Sequence, residues 1–218
     1  MTRFTSDQIR ELLDKLQAMH PVAECELQYT TPFELLVAVI LSAQCTDRRV
    51  NAITPDLFAY ANTPEQFAEM CPEDLEQRIY SCGFYHNKAR NIIAAAQDIV
   101  SRFDGKVPNN IRDLMTLAGV GRKTANVVYA VAFGGQAIAV DTHVLRLANR
   151  IGLAHSDNPL HVEQALMQCI PQSEWAHAHH LLIHHGRYVC TARSPHCDKC
   201  TIRPLCQYYQ TNTRSPKE

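Results

Sequence analysis

LAGVGRKTA, residues 117–125, is the stretch that decides the fold, because an apolar helix end runs into Gly-Val-Gly and a second helix begins at once. Glycine permits positive φ and close backbone approach, so the pattern predicts a tight hairpin of two helices with Val120 packed between them. The N–H groups of Gly119, Gly121 and their neighbours would then be available to a phosphate. An ordinary helix C-cap followed by a turn explains these residues equally well.

A nucleotide-binding P-loop does not fit the same stretch. That motif needs Gly-Lys-Ser/Thr in succession, and here Arg122 separates Gly121 from Lys123. No predicted strand precedes the glycines either, so this class of phosphate site is excluded.

The rest of the chain predicts one helix after another. Thr31 and Thr63 each precede a proline and have Glu or Gln three residues later, which is the pattern of a capped helix start. Asp141 is predicted to cap a helix whose apolar residues recur at helical spacing. Alternating strand patterns are absent, and only residues 136–140 favour an extended stretch. The predicted fold class is therefore all-α.

Four cysteines near the C-terminus stand close enough in sequence to share one inorganic centre: Cys190, Cys197, Cys200 and Cys206. A structural zinc site usually uses two short Cys-x-x-Cys pairs, whereas only Cys197 and Cys200 form such a pair here. The spacing therefore favours a [4Fe-4S] cluster. The other five cysteines are scattered, and we expect them to be reduced.

Composition sets limits on compartment and partners. At 218 residues and 46% hydrophobic, the chain is long enough for one large or two small domains. The longest aliphatic run has seven residues, Leu35–Leu41, against the roughly twenty needed to span a bilayer, so no membrane helix is expected. The first ten residues lack the apolar core of a signal peptide, so we expect a cytoplasmic protein, nucleoid-associated if bacterial.

The net charge of −1 is divided unevenly. Residues 1–109 carry ten Lys/Arg and fifteen Asp/Glu, and residues 110–218 carry eleven and seven. An anionic polymer would therefore be bound mostly by the second half. An acidic, solvated helix face around Glu65–Glu76 explains the asymmetry as well, so charge alone does not decide.

Four motifs in one order carry a resemblance: residues 117–125, Val-Asp-Thr-His at 140–143, His-Gly-Arg-Tyr at 185–188, and the four-cysteine spacing. Together they resemble the endonuclease III family of the helix-hairpin-helix DNA glycosylase superfamily, over nearly the whole chain. The resemblance implies a two-lobed fold: a six-helix barrel domain with the hairpin at 25–135, and an iron-sulfur cluster domain formed by 1–24 and 136–218. It also implies a monomer that binds double-stranded DNA with a damaged base or abasic site across the cleft between the lobes.

The resemblance also assigns chemistry. It implies a bifunctional DNA glycosylase/lyase that removes oxidised pyrimidines and cleaves 3′ to the site by β-elimination. Lys123 would attack the sugar C1′ and form a Schiff base, since only an amine forms an imine. Desolvation and the neighbouring Arg122 would favour its neutral form. Asp141 would deprotonate the lysine or stabilise positive charge on the sugar, and a simple N-cap is the alternative.

Further residues are candidates for DNA contact. Gly119, Val120, Gly121 and Arg122 form the hairpin, and by similarity Gln44 and Phe84 would enter the duplex at the flipped base. Arg193 and Lys199 lie among the cysteines, so we expect them to reach phosphates. The sequence departs from the family pattern at Ala118, where proline is common, and at Phe84, where leucine is common.

Two alternatives remain. An adenine-specific mismatch glycosylase shares the cluster, but it normally lacks the lysine and bears a further C-terminal domain for which this chain is expected to be too short. A non-catalytic DNA-binding module would keep the hairpin and the basic half, and Lys123 would then not be a nucleophile. Trapping with borohydride on damaged DNA separates these alternatives from the glycosylase/lyase.

Overall fold

The structure, a computed structural model, describes residues 4–213. Within that range the regular structure is helical, and no strand is present, which confirms the predicted all-α class. The α-helices are α1 (Ser6–Met19), α2 (Pro32–Ser42), α3 (Asp47–Tyr60), α4 (Pro64–Ala68), α5 (Pro72–Ile79), α6 (Tyr85–Phe103), α7 (Ile111–Leu114), α8 (Arg122–Phe133), α9 (Thr142–Ile151), α10 (Pro159–Cys169), α11 (Trp175–Tyr188) and α12 (Gln207–Thr213). A 3₁₀ turn at Gln172–Glu174 precedes α11.

The chain divides into two compact units. One unit is Glu26–Gly135, and the other combines Met1–Cys25 with Gln136–Glu218. Residues 136–140, which begin the second segment of that unit, are neither helix nor strand.

The unit 26–135 is organised around α2. Every residue from Phe33 to Leu41 in this helix is buried, because an aliphatic run without a polar face must be covered on all sides. Helices α3, α6 and α8 pack on it. The seven-residue aliphatic run of the sequence is thus a core helix, and no helix within residues 4–213 is long and apolar enough to cross a membrane.

The other unit has a separate core. The apolar face of α1 is buried together with those of α9 and α11, which contribute Val144, Leu147, Leu181 and Leu182. Residues 136–140 add Ile138 and Val140 to this core immediately before α9 begins. These contacts fix the start of α9, and therefore the position of Asp141.

Helix starts follow the predicted local chemistry. The Thr31 side chain accepts a hydrogen bond from the N–H of Glu34 at 3.1 Å, and Thr63 and Gln66 form a reciprocal capping box. Glu34 does not complete a box with Thr31. Its carboxylate, only 3% exposed, instead accepts two 2.6 Å hydrogen bonds from the backbone and hydroxyl of Thr30 and a longer one from Asn62.

Glu34→Ala should therefore lower the free energy of unfolding by about 2 kcal/mol, because it strands buried donors that a charged acceptor now satisfies. Glu34→Gln, which keeps one acceptor oxygen, should cost less. Urea denaturation followed by circular dichroism measures both. Glu69→Ala, at an exposed position in the same unit, serves as the control. Equal stability of Glu34→Ala and this control would show that the network contributes nothing.

Candidate active site

The stretch 117–125 forms a hairpin between α7 and α8. Gly119 has φ +74°, a left-handed conformation that favours glycine, and a Cβ built there would lie 2.8 Å from the Cβ of Asn91. Val120 is 6% exposed, and its N–H donates to the carbonyl of Leu117 at 3.2 Å. The first glycine is therefore required by both backbone conformation and close packing.

Gly121 has a different environment from Gly119. Its φ of −84° is open to any residue, and an added Cβ would meet nothing within 4 Å. Gly121 is the N-cap of α8, and no side chain of the described residues caps this helix. The first amides of α8 thus face an open surface, where a helix N-terminus attracts an anion.

Lys123 lies in the first turn of α8, directly after this open N-terminus. Its side chain is exposed, as is that of Arg122. The chain by itself therefore does not desolvate Lys123, and its desolvation stays a prediction for the complex with DNA. An exposed amine at this place is free to meet a bound ligand, and any desolvation would have to come from that ligand.

Asp141 is the N-cap of α9, as predicted. Its Oδ1 accepts hydrogen bonds from the N–H groups of His143 at 2.9 Å and Val144 at 2.8 Å. Among the described residues no hydrogen bond is made to Oδ2, and the side chain is only partly buried. The cap therefore uses one carboxylate oxygen and leaves the other for chemistry. Asp141 and Lys123 belong to different units.

Two arginines of α9 that the sequence argument missed hold the segment around Cys190. Arg146 donates to the carbonyls of Gly186 at 2.7 Å and Cys190 at 3.1 Å. Arg150 donates to the carbonyls of Thr191 at 2.7 Å and Ala192 at 2.8 Å. Their i, i+4 spacing places both on one helix face, and that spacing is the only signal in the sequence for this role.

The four C-terminal cysteines line one small cavity, together with Leu147 and Ile151 of α9 and His185 of α11. Burial, reinforced by the neighbouring thiols, raises the pKa of Cys200 to about 11. Within residues 4–213 no three His, Cys, Asp or Glu side chains gather closely enough to hold a single metal ion. Four thiols around one cavity are a donor set that suits an iron-sulfur centre, in which each thiolate binds a different iron.

The Arg150 guanidinium and a pair of histidines, His185 and His20, make contacts beside the cavity. Arg150 Nη1 lies 3.4 Å from Cys190 Sγ. His185, fully buried, places its Nε2 3.4 Å from Cys200 Sγ and its Nδ1 3.2 Å from Nε2 of His20. These side chains join α1, α9 and α11 to the cysteine segment.

Gln44 and Phe84 lie on neighbouring loops of the unit 26–135. Both have positive φ, 53° and 61°, which is uncommon for residues other than glycine and marks local strain. Phe84 is 63% exposed, and Gln44 is also exposed. A Cβ built on Gly83 would lie 3.8 Å from the carbonyl oxygen of Gln44, so the two loops are in contact.

Arg193 and Lys199 are exposed beside the cysteines. The segment that carries them is held by a hydrogen bond from the N–H of His196 to the carbonyl of Val189 at 2.9 Å, and by one from the Thr191 hydroxyl to the carbonyl of Ser194 at 2.6 Å. Both cationic groups thus project from an ordered loop.

An apolar groove elsewhere in the unit 26–135 is lined by Phe33, Phe103 and Phe133 among others. It contains none of the residues predicted for the site. Its size alone gives no reason to place the chemistry there, because the titratable and cationic candidates lie elsewhere.

Known proteins resemble this chain over almost its full length. Residues 37–172 match the model of the HhH-GPD superfamily of base excision DNA repair proteins. Endonuclease III of Bacillus subtilis (strain 168) is 49% identical over 201 residues, which cover 92% of each chain. Endonuclease III of Escherichia coli (strain K12) is 44% identical over 91% of this chain and 94% of its own.

The chain belongs to the endonuclease III family.

Solved structures agree with this assignment. The endonuclease III in a trapped covalent intermediate with DNA superposes with a TM-score of 0.92 at 48% identity, covering 97% of this chain and all of that one. A thermostable thymine-DNA glycosylase, at 22% identity and a TM-score of 0.84, shares the fold. The residues matched by the superfamily model include the hairpin and Asp141 but end before the four C-terminal cysteines.

The two hairpin glycines give a matched pair of variants. Gly119→Ala should lower the free energy of unfolding by more than about 1 kcal/mol, because it adds a left-handed penalty to a clash with Asn91. Gly121→Ala should cost less, since its backbone is extended and its surroundings are open. Chemical denaturation of both variants tests this, and a larger loss at Gly121 would contradict the hairpin geometry.

Proposed function

We propose that this base excision repair enzyme, a DNA glycosylase and apurinic/apyrimidinic lyase, removes oxidised pyrimidines from duplex DNA and cleaves 3′ to the site through a Schiff base on Lys123. The observation that carries the proposal is the exposed amine of Lys123 in the first turn of α8, beside an N-terminus that no described side chain caps. There a phosphate held by backbone amides would bring the sugar of the same strand towards the amine.

The reaction then divides into two steps. The amine of Lys123 attacks C1′ of the flipped nucleotide, the bond from C1′ to the base breaks, and the base leaves. The C1′–O4′ bond then opens, with a proton passing to O4′, and the imine forms. This imine acidifies the C2′ proton, so its removal expels the 3′ phosphate by β-elimination. Only an amine supports both steps, because an alkoxide or carboxylate forms no imine.

Asp141 would supply the carboxylate. Since its Oδ1 is engaged in capping α9, we assign the chemical role to Oδ2, either as a base for the lysine ammonium or as a negative charge opposite the developing oxocarbenium ion. The cap holds the carboxylate in one orientation, so structural and chemical roles use different oxygens of one side chain.

Three surfaces would bind the DNA. The hairpin residues Gly119, Val120, Gly121 and Arg122 would hold the backbone without regard to sequence. Gln44 and Phe84 would occupy the space left by the flipped base, which offsets part of the unstacking cost. Arg193 and Lys199, exposed beside the cysteines, would contact phosphates at a distance from the lesion.

The four cysteines would hold a [4Fe-4S] cluster. The support is the cavity that all four cysteines line. When bound, such a cluster supplies four covalent cross-links to a segment with little core of its own. Arg146 and Arg150 hold the carbonyls of the same segment to α9.

The central test uses Lys123→Arg. Arginine keeps the positive charge for DNA binding but forms no stable imine, so the variant should bind damaged duplex normally and lose both the borohydride-trapped adduct and strand cleavage. Lys106→Arg, an exposed lysine of the same unit, is the matched control. A full adduct from Lys123→Arg, or none from the wild-type protein, would contradict the assignment.

Asp141→Asn completes this test, because asparagine keeps the Oδ1 acceptor of the cap and removes the charge. Unfolding free energy should change by less than about 1 kcal/mol. Single-turnover cleavage should fall by about a hundredfold or more. Cleavage at the wild-type rate would leave Asp141 with only its capping role.

Metal analysis tests the cluster. Anaerobically purified protein should be yellow-brown with about four irons per chain and no stoichiometric zinc. Cys200→Ser should lose iron and unfold at a lower temperature, since the segment loses a cross-link. Cys71→Ser, at an exposed cysteine far from the cavity in sequence, is the control. Stoichiometric zinc would overturn the assignment.

A further inference from the structure

Two cysteines outside the cavity, Cys45 and Cys82, lie together in the unit 26–135. Cys45 follows the end of α2, with its N–H donating to Ser42 O at 3.1 Å, and Cys82 follows α5, with its N–H donating to Ile79 O at 2.8 Å. Their side chains interact electrostatically, and both are free thiols. Residues 37 positions apart in the chain thus present a pair of adjacent thiols.

The backbones around this pair are also in contact. The carbonyl oxygen of Gln44 lies 3.8 Å from where a Cβ on Gly83 would be, and these residues directly flank Cys45 and Cys82. Neither cysteine lies inside a helix, since α2 ends at Ser42 and α5 ends at Ile79. Small backbone shifts that close a disulfide are therefore easier here than within a hydrogen-bonded helix.

A buried positive charge lies beside the thiols. Lys88 is 5% exposed, and its Nζ donates to the carbonyl of Leu41 at 2.8 Å. No carboxylate pairs with it among residues 4–213. Burial lowers the pKa of Lys88, while its interactions with Cys82 and Cys45 act in the opposite direction. The same charge favours the thiolate form of Cys82, but burial outweighs it.

The two thiols differ in exposure. Cys82 has no exposed surface, and burial together with the neighbouring Cys45 thiol raises its pKa to about 11. Cys45 is partly exposed. An oxidant in solution therefore meets Cys45 first, and Cys82 remains protonated behind it, ready to react with whatever forms on Cys45.

We propose that Cys45 and Cys82 are a redox-active pair, which a hydroperoxide converts into a disulfide between the Gln44 and Phe84 loops. In the first step the Cys45 thiolate attacks the peroxide oxygen, the O–O bond breaks, and a sulfenic acid forms with release of water or an alcohol. In the second, Cys82 sulfur attacks the sulfenic sulfur, its proton leaves with the hydroxyl as water, and the S–S bond forms. The two thiols lose two electrons and two protons, which the hydroperoxide takes up.

Such a bond would restrain the loops that carry Gln44 and Phe84. This consequence, unlike the disulfide itself, rests on the proposed DNA-inserting role of those two residues. A cross-link one residue from Gln44 and two from Phe84 limits their movement when a base is extruded, so the oxidised enzyme would bind and cleave damaged duplex less well. Reduction by a dithiol would restore it.

Mass spectrometry of the holoenzyme tests the pair. The protein is treated with hydrogen peroxide, quenched with catalase, blocked with N-ethylmaleimide under denaturing conditions and digested without reductant. We expect a peptide pair linked through Cys45 and Cys82 that disappears with dithiothreitol. Cys45→Ser and Cys82→Ala should each lack it, and Cys71→Ser, at an exposed cysteine of the same unit, should retain it. Absence of the linked pair from wild-type protein, while Cys45 is oxidised to higher acids, would overturn the proposal.

Binding and cleavage of a duplex with one oxidised pyrimidine are measured on the same samples. Peroxide should weaken both for wild type and Cys71→Ser, reversibly with dithiothreitol, but not for Cys45→Ser. The iron content is followed in parallel, so that damage to the cluster is separated from the disulfide. If the linked peptide forms but binding is unchanged, the disulfide proposal stands. The loop-restraint consequence is then refuted, and with it the DNA role of Gln44 and Phe84. Loss of the adduct on Lys123 in untreated protein would instead refute the proposed function alone.

Discussion

The hydrogen bonds from Arg146 and Arg150 to carbonyls of residues 186–192 are the constraint on which the unit 1–25 with 136–218 depends. Both arginines project from α9, whose first residue follows Asp141. One helix therefore orients the Asp141 carboxylate at its N-terminus and holds the cysteine segment along its side. These charge-assisted hydrogen bonds are costly to break, because the carbonyls would otherwise lack partners. They therefore order the segment independently of any iron.

This arrangement shows which features a sequence can and cannot predict. The helix starts at Thr31, Thr63 and Asp141 were predictable because a cap bonds to amides two or three residues away. The partners of Arg146 and Arg150 lie about 40 residues away in the chain, and nothing local specifies them. The all-helical class followed from periodicity, whereas the anchoring of the cysteine segment required the folded structure.

The candidate site shows the same division. Gly119 and Gly121 look equivalent in the sequence, but only Gly119 adopts positive φ, because it alone must pass close to Asn91. Likewise, the position of Lys123 in the first turn of α8 follows from the motif, whereas its exposure depends on what packs around the hairpin. The strained backbones of Gln44 and Phe84 had no signal at all, since positive φ at such residues is imposed by tertiary contacts.

Buried Lys88 connects these loops to their helices. Its contacts restrict the conformations that the loops can adopt. Its ammonium has the Leu41 carbonyl at the end of α2 as its hydrogen-bond acceptor, while Lys88 itself belongs to α6, which begins after Phe84. A buried charge without a carboxylate partner is costly, and it is retained only where its contacts hold the structure or its field acts on neighbours. Both conditions are met at Lys88. Its ammonium connects the residues at which the Gln44 and Phe84 loops begin and end, and it lies beside two thiols. Lys88→Met would keep the packing of the aliphatic stem. It would leave the Leu41 carbonyl without its donor and would remove the positive charge beside Cys45. The loops and the thiol pair therefore have one buried charge as a common neighbour.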